Sequence, residues 1–237
     1  MKKRIFIPIL VGSIALSVCA TYFVTQYFVT KAMTAKVDDA RRIAFETHYN
    51  DRLILFKEEN KHADNVDVVF LGDSLTEGYD VKSYYPNRNV LNRGIGGDTT
   101  VGVEKRLDVS VFDASPKITA MLIGANNMNA MLDNYENILI KFQEKAPNMK
   151  IVLLSLTSMS KEWGRKNELA KSNNIKIKEY ADKYGYAFVD LFNPLLDTSK
   201  NELKQEYTVD GGHLTAKGYE VVTSVITPVI DSLLGGN

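Results

Sequence analysis

Short apolar runs alternate with helical stretches from residue 66 onward, and this alternation restricts the possible folds more than any other feature. The runs predict strands at Val66–Leu71, Val90–Asn92, Ile118–Ile123, Ile151–Leu156 and Ala187–Val189. Helices are predicted at Val101–Leu107, Asn134–Lys145, Glu168–Tyr184 and Thr215–Leu234. Because apolar strands that alternate with helices form parallel sheets covered on both faces, the pattern predicts an α/β domain over residues 66–237. Its chemistry is expected at the carboxyl ends of the strands.

The charge of the chain argues against a nucleic-acid partner. Twenty-nine basic residues balance 29 acidic ones, and three of the basic residues stand together at positions 2–4. The rest of the chain therefore has 26 basic against 29 acidic residues. A protein that binds the phosphate backbone needs a basic surface, which this composition does not supply.

The cysteine and histidine content gives no sign of a disulfide or a metal site. Cys19 is the single cysteine, and the three histidines are widely separated in the sequence. No cluster has the spacing of zinc ligands. We therefore expect neither a metal nor an organic cofactor.

An uncharged segment extends from Ile5 to Thr30, directly after three basic residues. Its most apolar part, Ile5–Val24, has about 20 residues, enough for a helix to cross the roughly 30 Å hydrocarbon core of a bilayer. Basic residues before such a segment favour an N-terminus that stays in the cytoplasm. Residues 1–30 are therefore predicted to be a single-pass signal-anchor helix, with the domain at residues 66–237 on the outer side of the cell membrane.

Two alternatives stay open for this segment. Cleavage as a signal peptide would release a secreted protein, although the apolar run is longer than usual and a good cleavage site is missing. Lipidation of Cys19 is the other alternative, because Leu16–Cys19 resembles a bacterial lipobox. Val18 departs from the small residue expected in that motif.

Residues 31–65 are predicted to form an amphipathic helical linker between this anchor and the domain. Apolar residues recur at steps of three and four, which is the period of one helix face. They are Val37, Ala40, Ala44, Phe45, Tyr49, Leu53 and Phe56. We expect this apolar stripe to pack on the domain of the same chain.

The first predicted strand is followed by the sequence G-D-S-L at residues 72–75. A serine between a strand and a helix exposes its hydroxyl at the sheet edge and has its N–H at the positive end of the helix. Both properties suit a nucleophile whose oxyanion must be stabilised. Taken alone, however, the same motif is a common helix start with the serine as its cap.

Two further motifs follow the next strands. The glycine-rich run N-R-G-I-G-G-D-T-T at residues 92–100 has no P-loop lysine and lacks the dinucleotide spacing. Its glycines therefore suggest close approach of a backbone N–H to a ligand. In G-A-N-N at residues 124–127, Asn126 either closes a turn or donates its amide to a developing oxyanion.

The last motif is D-G-G-H at residues 210–213, just before the final helix. Asp210 stands three residues before His213, so its carboxylate can reach Nδ1 of the imidazole while Nε2 faces a serine. A solvated loop histidine is the alternative interpretation.

Taken together, the order of the four motifs resembles the SGNH, or GDSL-type, hydrolase family. The resemblance implies a flavodoxin-like three-layer α/β/α sandwich and serine esterase chemistry. Ser74 would be the nucleophile, with Asp210 and His213 completing a catalytic triad. The N–H groups of Ser74 and Gly97 and the side chain of Asn126 would form the oxyanion hole.

One position departs from the family pattern, because Asn127 stands where an aspartate is common. The sequences of the motifs are most similar to those of the platelet-activating-factor acetylhydrolase branch, whose members cleave short acyl esters. The expected function is thus hydrolysis of short acyl, including acetyl, esters of extracytoplasmic carbohydrate or lipid. An acyltransferase with the same triad and a catalytically silent surface-binding module are the alternatives, and the sequence does not indicate an oligomeric state.

Overall fold

The computed structural model of the chain describes residues 6–164 and 166–235, with side chains described from residue 21 onward in those ranges. The chain divides into two compact units, Met1–His48 and Tyr49–Asn237. The second unit contains all the motifs that carry chemistry.

The first helix, α1, extends from Phe6 to Asn60. The predicted apolar stripe is buried only toward its end, where Tyr49, Leu53 and Phe56 pack with residues of the second unit. Earlier members of the stripe are exposed: Val37 by 49% and Phe45 by 38%. That the earlier part of the stripe packs on the domain stays a prediction.

The predicted membrane segment, residues 1–30, falls largely outside the described side chains. In the part of the chain that the structure does describe, no helix has both the length and the apolar character needed to cross a bilayer.

Five parallel strands form the central sheet, in the order β2-β1-β3-β4-β5. They are β1 Val68–Gly72, β2 Val90–Gly94, β3 Ile118–Leu122, β4 Lys150–Leu154 and β5 Ala187–Val189. The prediction of a parallel five-stranded sheet is thus confirmed, strand by strand. Because β2 lies on one side of β1 and β3 on the other, the chain changes direction at β1. The crevice outside the carboxyl ends of β1 and β3 is where ligands bind in sheets of this kind.

Helices cover both faces of the sheet. They are α2 Ser74–Glu77, α3 Val81–Tyr84, α4 Thr100–Lys105, α5 Leu132–Lys145, α6 Asn167–Tyr184, α7 Phe192–Leu195 and α8 Ala216–Leu234. Short 3₁₀ turns lie at Ala125–Asn127, Lys161–Trp163 and Gln205–Tyr207, a π-helical turn at Asp108–Phe112, and an antiparallel pair at β6 Leu196–Asp197 and β7 Glu202–Leu203.

Alternate residues of β1 enter two separate cores, which explains why the strand is apolar throughout. Val69 and Leu71 pack in the core that α5 and α6 share. Val68 and Phe70 pack in the core that α8 covers. The result is three layers, helices on each side of one sheet, as the continuous apolar runs predict.

Candidate active site

Ser74 is the first residue of α2, and only Asp73 separates it from the end of β1. Asp73 caps this helix, because its Oδ1 accepts a hydrogen bond of 3.1 Å from the N–H of Leu75. The turn is tight: a Cβ on Gly72 would lie 2.2 Å from the carbonyl oxygen of Leu122. The strand, glycine and cap together place the Ser74 hydroxyl at the carboxyl edge of the sheet.

His213 and Asp210 lie beside this hydroxyl in a continuous hydrogen-bonded chain. The Nε2 atom of His213 is 2.9 Å from Ser74 Oγ, and its Nδ1 atom is 2.7 Å from Asp210 Oδ2. The other carboxylate oxygen accepts the backbone N–H groups of His213 and Gly212 at 2.8 and 3.0 Å. Asp210 therefore fixes both the imidazole ring and the loop that carries it, as the three-residue spacing predicts.

The same hydrogen bonds keep Asp210 ionised. Burial acts to raise the pKa of Asp210, but the donors on His213 and Gly212 outweigh it and leave that pKa below its usual value. A negative charge at Nδ1 stabilises a proton on the imidazole, which is what a general base needs when it takes a proton from serine.

Trp163 contacts the imidazole from the side and is not among the residues that the motifs identify. Its ring meets the His213 ring edge-on, with 4.9 Å between ring centroids and an interplanar angle of 88°. A Cβ at position 212 would come within 2.5 Å of the indole, so Gly212 makes room for it. The indole thus restricts the positions that the imidazole can take.

The glycine-rich loop that follows β2 forms a tight turn. The N–H of Asp98 donates to the carbonyl of Ile95 at 3.1 Å, and Gly97 has φ +79°. Only glycine adopts such a φ readily, so the glycine at position 97 has a structural cause. Thr99, at the end of the loop, caps α4 through the N–H of Gly102.

Asn126 contacts this loop and lines the same pocket as Ser74. It lies in the 3₁₀ turn after β3, and its Nδ2 donates to the carbonyl of Asp98 at 2.8 Å. An amide nitrogen has two hydrogens, so a second one remains for a ligand in the pocket that Asn126 lines. Among the described residues, those that line this pocket do not include Gly97. The role of Gly97 as an oxyanion donor therefore stays a prediction.

Asn127, which replaces the common family aspartate, points to α4 rather than to the serine. Its Nδ2 donates to Thr100 Oγ1 at 2.9 Å, and its Oδ1 accepts from the N–H of Thr100 at 3.4 Å. An amide makes both bonds at once, whereas an ionised carboxylate could only accept. The residue therefore has a structural part in holding the start of α4.

A small pocket, with a cavity volume of only about 10 Å³, opens beside Ser74. Its lining combines the polar groups above with the apolar side chains of Leu75, Met159 and Trp163. That volume is far below the range for whole small-molecule sites. Among the described residues, no group of histidine, cysteine and acidic side chains could hold a metal ion.

A larger and more polar groove, of about 570 Å³, adjoins the loops that carry Met159 and His213. Ser160 and Asp210 line the groove, whereas Met159 and His213 line the small pocket. The groove is otherwise lined mainly by charged and polar side chains: Lys161, Glu162, Asp197, Lys200, Glu202, Gln205 and Thr208.

The sequence profile of the GDSL-like lipase/acylhydrolase family matches residues 70–221, which include every motif described above. The chain belongs to this family. It is therefore a hydrolase of ester bonds, and the family expected from the sequence is confirmed. No curated protein sequence matches the chain significantly.

Several solved structures share the fold. A protein from Streptococcus pneumonia, provisionally assigned as a platelet activating factor, is 25% identical with a TM-score of 0.76, and the match covers 83% of this chain and 99% of that one. A provisionally assigned acylhydrolase from Bacteroides fragilis is 24% identical with a TM-score of 0.67, over 76% and 95% of the two chains. A variant of an acetyl xylan esterase from Geobacillus stearothermophilus is 18% identical with a TM-score of 0.58, over 71% and 95%.

Proposed function

We propose that this acylhydrolase is a serine esterase that removes short acyl groups, acetyl above all, from a polar alcohol such as a carbohydrate. The observation that carries the proposal is the hydrogen-bonded chain from Ser74 through His213 to Asp210, which ends in a small pocket. The limited pocket volume favours a short acyl chain. The polar groove next to it favours a hydroxyl-rich alcohol over a lipid.

The reaction proceeds by double displacement. His213 Nε2 takes the proton of Ser74 Oγ while that oxygen attacks the ester carbonyl, and Asp210 stabilises the resulting imidazolium. The N–H of Ser74 and the free hydrogen of Asn126 Nδ2 stabilise the oxyanion, together with the N–H of Gly97. His213 then returns the proton to the leaving alcohol, and a water molecule releases the acyl group along the same route.

We further propose that the domain acts on the outer side of a membrane to which residues 1–30 anchor it. The uncharged run Ile5–Thr30 and the basic residues before it support this location. Acylated surface polysaccharides would then be accessible substrates.

The substrate is tested with the purified chain against p-nitrophenyl esters of increasing acyl length and against acetylated oligosaccharides. We expect kcat/KM to be highest for the acetate ester and to fall steadily with chain length, with acetate released from the sugars. Ser74→Ala serves as the control for background hydrolysis. Preference for long-chain esters, or transfer of the acetyl group to an added sugar without release of acetate, would overturn the proposal.

A further inference from the structure

The end of α1, Tyr49–Asn60, contacts the glycine-rich loop directly. Arg52 donates two hydrogen bonds to the carbonyl of Gly94, from Nε at 3.1 Å and from Nη2 at 2.9 Å. The hydroxyl of Tyr49 donates to the carbonyl of Gly102 at 3.3 Å. All of these residues belong to the second compact unit.

A second charged group holds the loop beside this contact. Glu77 Oε2 accepts the N–H of Gly96 at 2.5 Å, and Glu77 Oε1 lies 3.6 Å from Arg52 Nε. Both side chains are largely buried, with 18% of Arg52 and 26% of Glu77 exposed. Arg52 and Glu77 thus hold the two peptide groups on either side of Ile95. The second of these groups includes the N–H of Gly96, the residue before Gly97.

Phe56 fixes the position of α1 over the same loop. Its side chain is 0% exposed and packs with Ile95. The guanidinium groups of Arg52, Arg93 and Arg106 lie 4.8, 4.7 and 5.9 Å from its ring centroid. Cations over an aromatic face are attracted to it, so the Phe56 ring stabilises each of the three guanidinium groups.

Two further arginine contacts extend this cluster. Arg93 is completely buried and pairs with Glu59 and with Asn60 Oδ1 on the last turn of α1. Arg106 donates to Asp98 Oδ2 at 2.7 Å, at the far end of the loop. The loop is therefore held by charged groups at its start, in its middle and at its end.

The same loop reaches the proposed oxyanion hole. Gly97 lies within it, and the carbonyl of Asp98 accepts the side chain of Asn126 at 2.8 Å. A loop with glycines at positions 94, 96 and 97 loses much conformational entropy when it is ordered. Oxyanion donors are effective only when they are fixed in place before the reaction.

We propose that Arg52, acting with Glu77, is a positioning residue for the loop Gly94–Asp98, so that the end of α1 is part of the catalytic unit. The family profile begins at residue 70, so this helix lies outside the matched region. The inference rests on the proposed serine esterase function, because it concerns the oxyanion hole of that reaction.

The test is Arg52→Gln in the full chain, with Arg42→Gln as the matched control. Arg42 lies on the same helix, is exposed, and pairs with Asp39 and Glu46. For p-nitrophenyl acetate, Arg52→Gln should lower kcat per titrated active site about tenfold or more with little change in KM. The inhibition constant of a trifluoromethyl ketone, which mimics the tetrahedral intermediate, should rise by a similar factor. Arg52→Lys, which keeps one donor for Gly94, should recover part of the loss.

Amide hydrogen exchange provides a readout that does not depend on activity. Exchange in peptides covering Gly94–Asp98 should become faster in Arg52→Gln and in Glu77→Gln, and should be unchanged in Arg42→Gln. Unchanged exchange in the Arg52 and Glu77 variants, or faster exchange with wild-type kcat and inhibitor binding, would overturn the inference.

The same experiment separates this inference from the proposed function. If the wild-type chain hydrolyses no ester, the proposed function fails and the positioning role fails with it. If the wild type is active and Arg52→Gln matches it per active site, only the positioning role is wrong.

Discussion

Asp73 has a buried carboxyl group next to the proposed nucleophile. The side chain is 1% exposed, and its Oδ2 atom has no hydrogen-bond partner among the described residues. The pKa of Asp73 is raised to about 7, chiefly by burial and also by the nearby charge of Asp98, while the N–H of Leu75 and the charges of His213 and Arg106 oppose the rise. The ordinary value is 3.8.

This difference makes the stability of the fold depend on pH. Between the two pKa values the folded chain keeps a proton that the unfolded chain loses, so rising pH favours unfolding. The contribution is fully present below about pH 4 and is lost as the pH rises toward 7.

Asp73→Asn removes this dependence, because an amide keeps the Oδ1 acceptor for the N–H of Leu75 but does not ionise. From pH 5 to pH 8 the free energy of unfolding of the variant should rise by about 2 kcal/mol relative to the wild type. Urea unfolding at the two pH values measures the difference. If the free energies of unfolding of the variant and the wild type differ by the same amount at pH 5 and at pH 8, Asp73 has an ordinary pKa in the fold.

Asn126→Ala tests the proposed oxyanion donor. Because its amide acts on charge that develops only in the transition state, kcat should fall about 10²–10³-fold with KM nearly unchanged. Asn127→Ala is the control, since that amide binds Thr100 instead. Similar kcat values for both variants would mean that Asn126 only closes the turn.

Among individual residues, the sequence predicts those site residues that stand at a characteristic spacing from one another. Asp210 and His213 are close in sequence and can find each other within one loop. Arg52 and Trp163 reach the site from distant parts of the chain, and no local pattern distinguishes them from an ordinary helix arginine or a loop aromatic. Contacts of this kind become visible only in the folded structure.

At the scale of secondary structure, the apolar runs predict all five strands of the central sheet, and the helical stretches between them predict α4, α5, α6 and α8, to within a few residues. Shorter elements are missed. The antiparallel pair β6–β7 and the π-helical turn Asp108–Phe112 are too short to show a periodic pattern. The buried part of α1 is also shorter than its apolar stripe, because exposure depends on which residues face other elements, not on hydrophobicity alone.

Phe56→Ala tests how strongly the end of α1 is held. The side chain is completely buried, so its removal leaves a cavity. The three guanidinium groups that contact the ring also lose that contact. The free energy of unfolding should fall by about 3 kcal/mol or more. Ile54→Ala, two residues away and 65% exposed, should change it by less than about 0.5 kcal/mol. Equal effects in urea unfolding would show that α1 is held elsewhere.

At the scale of the whole molecule, the proposed anchor makes a prediction about location. In cells that produce the full chain, membranes washed at high salt should retain the protein, and protease added outside should digest the domain. A chain that lacks residues 1–35 still contains the whole second unit, so it should be soluble and active. Full-length protein that is released by the wash, or a domain that is protected until the cells are opened, would contradict the anchor or its orientation.

Ser74 should form an acyl-enzyme during turnover, and mass spectrometry of the intact protein detects that intermediate. After brief reaction with p-nitrophenyl acetate and quenching in acid, the chain should gain the mass of one acetyl group, and peptide mapping should place it on Ser74. Ser74→Ala should gain none and should lose turnover. Acetylation of a different residue, with turnover intact in Ser74→Ala, would contradict the account.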